Sequence, residues 1–150
     1  MHVNRPMDHL TSAQQAILSA IGNTLLPGAA EAGLVAFIEH NLGLANPRLL
    51  LKYRDLPLDP VAFYRDALDA IDELAIRRFQ TGFTMLSELQ QCAIVDLLIE
   101  GDPPGWHGPP ANEVFTVLRM DAFDVIYGTP TGYERLDLQQ YVHIAPERAW

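Results

Sequence analysis

The chain has 150 residues, of which 49% are hydrophobic and 19% are charged, and its formal net charge is −9. This length fits one domain, and the apolar content excludes a disordered chain. The excess of acidic residues argues against binding a nucleic-acid backbone or an anionic membrane surface. The single cysteine, Cys92, excludes an internal disulfide and a cysteine-based zinc cluster.

An amphipathic helix opens the chain, and we predict that it covers residues 12–26. Its apolar side chains recur at three- and four-residue spacing, and Pro27 ends it. A hydroxyl caps the first turn and a glutamine follows three residues later, as a capping box requires. The candidates for this pair are Thr11 or Ser12 with Gln14 or Gln15.

The second predicted helix covers residues 30–42 and ends at Gly43, because glycine is a common helix stop. The loop that follows holds a leucine triplet, residues 49–51, which fits either a short helix or a buried turn. The residues expected on the inward face of the helix are Leu34, Phe37 and Ile38.

The third predicted helix covers residues 60–80. Asp59 stands at its N-cap, and Pro60 stands at the first helical position, where the missing N–H costs nothing. The sequence then holds one apolar face along the helix. Its members are Val61, Tyr64, Leu68, Ile71, Leu74, Ala75 and Phe79.

The fourth predicted helix covers residues 88–100, with Ser87 as its cap and Gln90 in the box position. We expect its inward side to include Leu89, Ala93, Leu97 and Leu98. Residues 101–110 must form a loop, since four prolines and three glycines in this segment permit no regular structure. A fifth helix is predicted over residues 112–127, with an apolar side formed by Val114, Phe115, Leu118, Ala122, Val125 and Ile126.

The pattern therefore predicts an all-α fold, a five-helix bundle with a long Pro/Gly loop, and a single domain over residues 1–150. Residues 1–9 are expected to be a flexible start, and they contain no apolar run of signal-peptide length. The chain as it stands is thus expected in the cytoplasm. Residues 129–150 are apolar without a helical period, so we predict an extended tail.

The third helix carries an acidic cluster, Asp66, Asp69, Asp72 and Glu73. Carboxylates at this spacing could bind a hard metal ion or divide acid and base roles. The simpler interpretation is a solvated face opposite the apolar one, because acidic side chains are mostly exposed and no second acidic helix matches this one. We expect Asp66 and Asp69 to be exposed.

The other reactive residue types form no recognisable site. None of the five histidines (His2, His9, His40, His107 and His143) has a partner at metal-ligand helical spacing. Cys92 stands between Leu89 and Leu97, where we expect a buried, unreactive thiol. The sequence thus predicts no catalytic, cofactor-binding or metal-binding residue in this chain.

Two apolar segments are candidates for a partner interface. Trp106 and His107 stand at the tip of the Pro/Gly loop, where the indole either packs on its own helices or anchors a partner. The tail either wraps over the bundle or lies on another chain, and we favour the second because five helices should close their own core. The tail residues proposed for contact are Tyr133, Leu136, Tyr141, Ile144 and Trp150.

Several motifs, in order, resemble those of the gluconate 2-dehydrogenase subunit 3 family, the small subunits of sugar and sugar-acid dehydrogenases. The family opens with a helix of the form LT-x-x-(E/Q) that ends near LxP, and it continues with AGvvxFI. Two further helices carry the aromatic and leucine pattern of its central pair. The matching residues here are Leu10-Thr11-Ser12-Ala13-Gln14, Leu25-Leu26-Pro27, Ala32-Gly33-Leu34-Val35-Ala36-Phe37-Ile38, Tyr64-Arg65-Asp66-Ala67-Leu68-Asp69-Ala70-Ile71-Asp72, Ala75, Phe79, Phe83, Leu86-Ser87, Gln90 and Leu97-Leu98, with Ile126-Tyr127-Gly128 at the end of the fifth helix.

The resemblance implies a non-catalytic helical subunit that binds and stabilises a large flavoprotein of the glucose-methanol-choline oxidoreductase type. FAD would be held by that partner, which oxidises a sugar, glycoside or sugar acid, and a further electron-transfer subunit could join them. Many members carry a twin-arginine export signal that this chain lacks, so a periplasmic location would depend on an export signal in the partner. The family's Gly-Asn-rich ending is replaced by residues 127–133.

Two other classes of protein fit the sequence. One is a stand-alone helical protein that binds a metal or another ligand through the acidic third helix. The other is a small homodimeric ligand-binding bundle. A neighbouring reading frame with an amino-terminal GxGxxG after a strand would favour the subunit over both.

Overall fold

The computed structural model describes residues 8–128, in which five α-helices form a bundle without any strand. The predicted all-α class is confirmed. Short 3-10 helices at Leu50–Tyr53 and Phe83–Met85 lie in two connections, and the first contains part of the leucine triplet. The α-helices are α1 (Ser12–Leu25), α2 (Leu34–Leu42), α3 (Pro60–Phe79), α4 (Glu88–Glu100) and α5 (Ala111–Tyr127).

The helix starts follow the predicted caps. The Thr11 hydroxyl accepts from the Gln14 backbone N–H at 3.1 Å, and the Gln14 side chain accepts from the Thr11 N–H at 3.0 Å. Ser87 forms the same reciprocal box at the start of α4, and Asp59 accepts from the Ala62 N–H at 3.0 Å. Each cap satisfies N–H groups that have no partner inside the helix, so three helix starts are fixed by local sequence.

The second helix is shorter than predicted, because it begins at Leu34 instead of residue 30. The chain between Pro27 and Gly33 forms turns, and both Gly28 and Gly33 have a φ of 96°. This left-handed conformation suits glycine and interrupts a right-handed helix. Gly33 is therefore the N-cap of α2, while the predicted inward residues of the helix are buried as expected.

The face that α4 presents to the core agrees only in part with the prediction: Leu98 is buried and Leu97 packs against the core, but Leu89 does not. Its buried residues are Ile94, Val95 and Leu98, whereas Leu89 is 84% exposed and Cys92 is exposed. The prediction of a buried thiol is therefore wrong. Apolar residues occur on both sides of α4, so its sequence supports two inward stripes, and only packing against α1 and α5 selects one of them.

The Pro/Gly loop closes the end of the bundle between α4 and α5. Gly101 ends α4 with a φ of 117°, and Asp102 accepts from the Ala111 N–H at 2.8 Å. This carboxylate satisfies a donor in the first turn of α5, whose own N-cap residue makes no side-chain hydrogen bond. The loop thereby connects α4 and α5, which pack against each other.

Candidate partner-binding surface

Trp106 lies half-buried against its own bundle. Its indole Nε1 donates to the Pro109 carbonyl at 2.6 Å, and the ring packs against the hydrophobic core. A Cβ built on Gly108 would lie 2.9 Å from Trp106 Cζ2 and 2.8 Å from the Ala70 Cβ. The loop backbone is thus in close contact with both α3 and the indole, and part of the ring stays accessible to a second chain.

The other residues proposed for the interface are His107 and five residues of the tail. His107 is exposed beside Trp106. The tail residues Tyr133, Leu136, Tyr141, Ile144 and Trp150 lie outside the described residues. The structure therefore brings the indole and the exposed imidazole to one loop, and the part played by the tail stays a prediction.

The acidic cluster of α3 is divided between solvent and local hydrogen bonding. Asp66 and Asp69 are exposed, as predicted. Asp69 also accepts from the Gln14 side chain at 3.0 Å, and Asp72 accepts from the Phe83 backbone N–H at 2.9 Å. These two carboxylates hold α1 and the connection after α3 in place. Within residues 8–128, no three side chains of metal-binding type lie close enough together to hold a metal ion.

Glu39 on α2 fixes the segment before α1. Its carboxylate accepts from the backbone N–H groups of His9 and Leu10, each at 2.8 Å. His9 Nδ1 lies 3.1 Å from the same carboxylate, and Gln15 donates to it at 3.3 Å. Partial burial opposes ionisation of Glu39, but the hydrogen bonds from His9 and Leu10 outweigh it and lower the pKa of the carboxyl group.

Replacing Glu39 should loosen the start of the chain. We expect Glu39→Ala to lower the free energy of unfolding by about 1–3 kcal/mol, because buried N–H groups lose their acceptor. Because the pKa of Glu39 is lower in the folded state, its carboxylate adds to the stability of the fold. This added stability is complete above the ordinary pKa of 4.5, and it is lost as the pH falls through the lower pKa of the folded state. Urea titrations at pH 4 and pH 7 measure this, with Glu31→Ala on the exposed turn as control. An equal effect of both variants would contradict the assignment.

A buried polar pair, Tyr64 of α3 and Asp121 of α5, lies at the centre of the bundle. Both residues are completely inaccessible, and the Tyr64 hydroxyl donates to Asp121 Oδ2 at 2.5 Å. Asp121 Oδ1 has no hydrogen-bond partner among the described residues. Burial raises the pKa of Asp121 to about 7, although the Tyr64 hydrogen bond opposes the increase. Burial also raises the pKa of Tyr64 well above its ordinary value.

This pair was not predicted from the sequence. Asp121 stands at the helical spacing of the buried residues Val114, Val117, Leu118 and Val125, so the periodicity of α5 places it on the inward face. An acid on the inward face of α5 and a tyrosine on the predicted inward face of α3 were the features of the sequence that could have indicated a buried polar pair. Which tyrosine and which acid meet is decided by the packing of α3 beside α5.

The outward side of α4 carries exposed apolar residues. We define the α4 outer face as Leu89, Cys92, Asp96 and Ile99, which recur at three- and four-residue spacing and are all exposed. Ile99 is 50% exposed, and Met85, three residues before the helix, is 77% exposed. This row of apolar side chains lies in solvent because the opposite side of α4 fills the core.

A shallow groove of about 370 Å³ borders this face between α1 and α4. Its walls include two glutamates, Glu31 and Glu88, and Cys92 itself, and no lysine, arginine or histidine of the described chain lines it. Thr24 and Gln91 are hydrogen-bonded across its floor at 3.3 Å. The groove is thus acidic and open, and it continues the apolar row on α4.

The length and apolar content of the described helices test whether one of them could span a membrane. None of the helices between residues 8 and 128 is both long enough and apolar enough to cross a bilayer. The apolar surface of α4 is one side of a helix of 13 residues that also contains Glu88, Asp96 and Glu100.

Comparison with known protein families identifies the chain. A family model described as gluconate 2-dehydrogenase subunit 3 matches residues 12–146, which is most of the chain and includes all five helices. No curated protein and no solved structure matches the sequence. The family name denotes a subunit of a multi-subunit gluconate dehydrogenase, in agreement with a helical bundle that carries exposed apolar residues. The chain belongs to the gluconate 2-dehydrogenase subunit 3 family and is an accessory subunit of a dehydrogenase complex.

Proposed function

We propose that this chain binds and stabilises a large FAD-dependent oxidoreductase of the glucose-methanol-choline type, which oxidises a sugar, glycoside or sugar acid. The chain itself contributes no catalytic group, and FAD belongs to the large subunit. A further electron-transfer subunit completes the complex. The observation that carries the proposal is the family match over residues 12–146.

The physical properties of the bundle support a binding role. Large apolar side chains are exposed to water on α4 and in the connection before it. Such surface on a small acidic domain is typical of a protein–protein interface. The buried Tyr64–Asp121 pair is completely inaccessible, so it is a structural pair with no route for a substrate.

Co-expression with the product of a neighbouring reading frame that begins with a strand and GxGxxG tests the proposal. We expect a tag on this chain to co-purify a flavoprotein with the absorption spectrum of bound FAD. The flavoprotein expressed without this chain should be less soluble or should unfold at a lower temperature. A flavoprotein that is equally soluble and active alone and does not co-purify would contradict the proposal.

Removing the tail tests where part of the interface lies. We expect deletion of residues 136–150 to leave the helical content of the isolated bundle nearly unchanged and to abolish co-purification, because the tail aromatics would anchor the large subunit. Circular dichroism of the isolated chain and a pull-down of the complex measure the two quantities. If the deletion unfolds the bundle instead, the tail packs on its own helices.

A further inference from the structure

We infer that the α4 outer face, with the acidic groove beside it, is a docking surface for the large subunit, where it receives an apolar patch flanked by lysine or arginine. This inference rests on the proposed function and specifies the surface that performs it. Three features of the structure support it: the apolar row on α4, the charge around this row, and the position of the end of α5 beside the groove.

The first observation is the position of the apolar side chains. Single exposed leucines are common on proteins and need no partner. Here Leu89, Cys92 and Ile99 lie along one side of one helix, and the exposed Met85 shortly precedes this helix in the chain. A row of this kind matches the helix-in-groove mode of recognition, in which residues at helical spacing enter an apolar groove of the partner.

The second observation is the charge that surrounds this row. The helix itself contains Glu88, Asp96 and Glu100 and no basic residue. The groove beside it adds Glu31 and has no basic residue among its described walls. Acidic side chains in this number keep the face soluble when it is uncovered, and they select a partner whose rim is basic. A second copy of this chain would bring the same acids together and is therefore disfavoured.

The third observation is the position of the last turn of α5 beside the groove. A Cβ at Gly28 would lie 4.0 Å from Ile126 Cδ1 in the last turn of α5, and Gly28 also lines the groove together with Glu88 and Cys92. The last described turn of α5 therefore lies near the end of the bundle where the α4 outer face begins. A large subunit that contacts α4 would therefore also lie close to the C-terminal end of α5.

The single cysteine provides a direct probe of this face in the complex. Because Cys92 is the only thiol of the chain and lies within the face, a maleimide labels one site. We expect the labelling rate of Cys92, followed by mass spectrometry of its peptide, to fall at least tenfold in the co-purified complex. Labelling of the isolated chain should be fast, as for an accessible thiol.

A matched pair of variants tests the energetics. Leu89→Lys should weaken binding of the large subunit at least tenfold, since it removes an apolar contact and places a positive charge against a basic rim. Ile76→Lys on α3 is the control, because Ile76 is also an exposed apolar helix residue, 49% accessible, and lies outside the face. Both isolated variants should melt close to the parent chain, since both side chains are largely in solvent.

The outcomes separate this inference from the proposed function. If the complex forms while Cys92 stays reactive and Leu89→Lys binds as well as Ile76→Lys, the surface is wrong and the subunit role stands. If no flavoprotein complex forms, both fail. If Cys92 is protected in the isolated chain and deletion of residues 129–150 exposes it, the chain's own tail covers the face and the inference is overturned. Protection that depends on the concentration of the isolated chain would assign the face to self-association and would also overturn it.

Discussion

Replacing Asp121 by asparagine should remove a large pH dependence from the stability of the isolated chain. In the folded protein the pKa of Asp121 is about 7, against an ordinary value of 3.8, so the folded state binds its proton more tightly than the unfolded state does. The stabilisation from this proton is complete below the ordinary value and is lost as the pH rises through about 7. The difference corresponds to roughly 4 kcal/mol as an upper bound.

The measurement is the free energy of unfolding in urea at pH 5 and pH 8. Asparagine resembles the protonated acid and does not titrate. The free energy of unfolding of Asp121→Asn, relative to that of the parent chain, should therefore increase by about 2 kcal/mol or more from pH 5 to pH 8. Asp66→Asn, on the exposed side of α3, is the matched control and should follow the parent profile. If Asp121→Asn also follows it, the Asp121 carboxyl group does not titrate in this range.

The hydroxyl of Tyr64 should reduce this pH dependence, because its hydrogen bond opposes the increase in the pKa of Asp121. Tyr64→Phe removes the donor to Asp121 Oδ2 and leaves the buried carboxylate without any partner in the described part of the chain. We expect a loss of about 1–3 kcal/mol that is larger at pH 8 than at pH 5, because the charged form depends more on the hydrogen bond. The double variant with Asp121→Asn should lose less than the sum of the single effects.

The second large effect is expected at Trp106. Trp106→Ala removes a half-buried indole that packs on the core and donates to Pro109, and it should lower the free energy of unfolding by about 2 kcal/mol. Trp106→Phe keeps most of the ring contact and loses the hydrogen bond, so a loss of about 1 kcal/mol is expected. Denaturation of the isolated chain measures both values.

This result distinguishes the two roles considered for Trp106. His107→Ala is the control, since the neighbouring side chain is exposed and should change stability by less than about 0.5 kcal/mol. If Trp106→Ala leaves the isolated chain unchanged but weakens the complex, the indole is an anchor for the partner. A loss in both measurements would indicate a ring that supports the loop on one side and contacts the large subunit on the other.

The helices could be predicted from sequence because their signals are local. The boxes of Thr11 with Gln14 and of Ser87 with Gln90 satisfy free N–H groups at helix starts. At the start of α3, Asp59 accepts from the Ala62 N–H and Pro60 has no N–H to satisfy, so each of these boundaries is encoded where it occurs. Gly101 and Gly128 stand at helix ends in the same local way. The start of α2 was predicted too early because two glycines with positive φ act through the turns before it.

The sequence by itself thus determined an all-α subunit, its caps, its Pro/Gly loop and its family, since each depends on short-range pattern or on the order of motifs. Only the tertiary structure decided which side of α4 is buried, because that helix is apolar on both sides. The same holds for the pairing of Tyr64 with Asp121, which are 57 positions apart and meet only when α3 packs beside α5. A hydrophobic pattern specifies that a face is inward, whereas contacts between distant residues depend on how the helices are arranged around the common core.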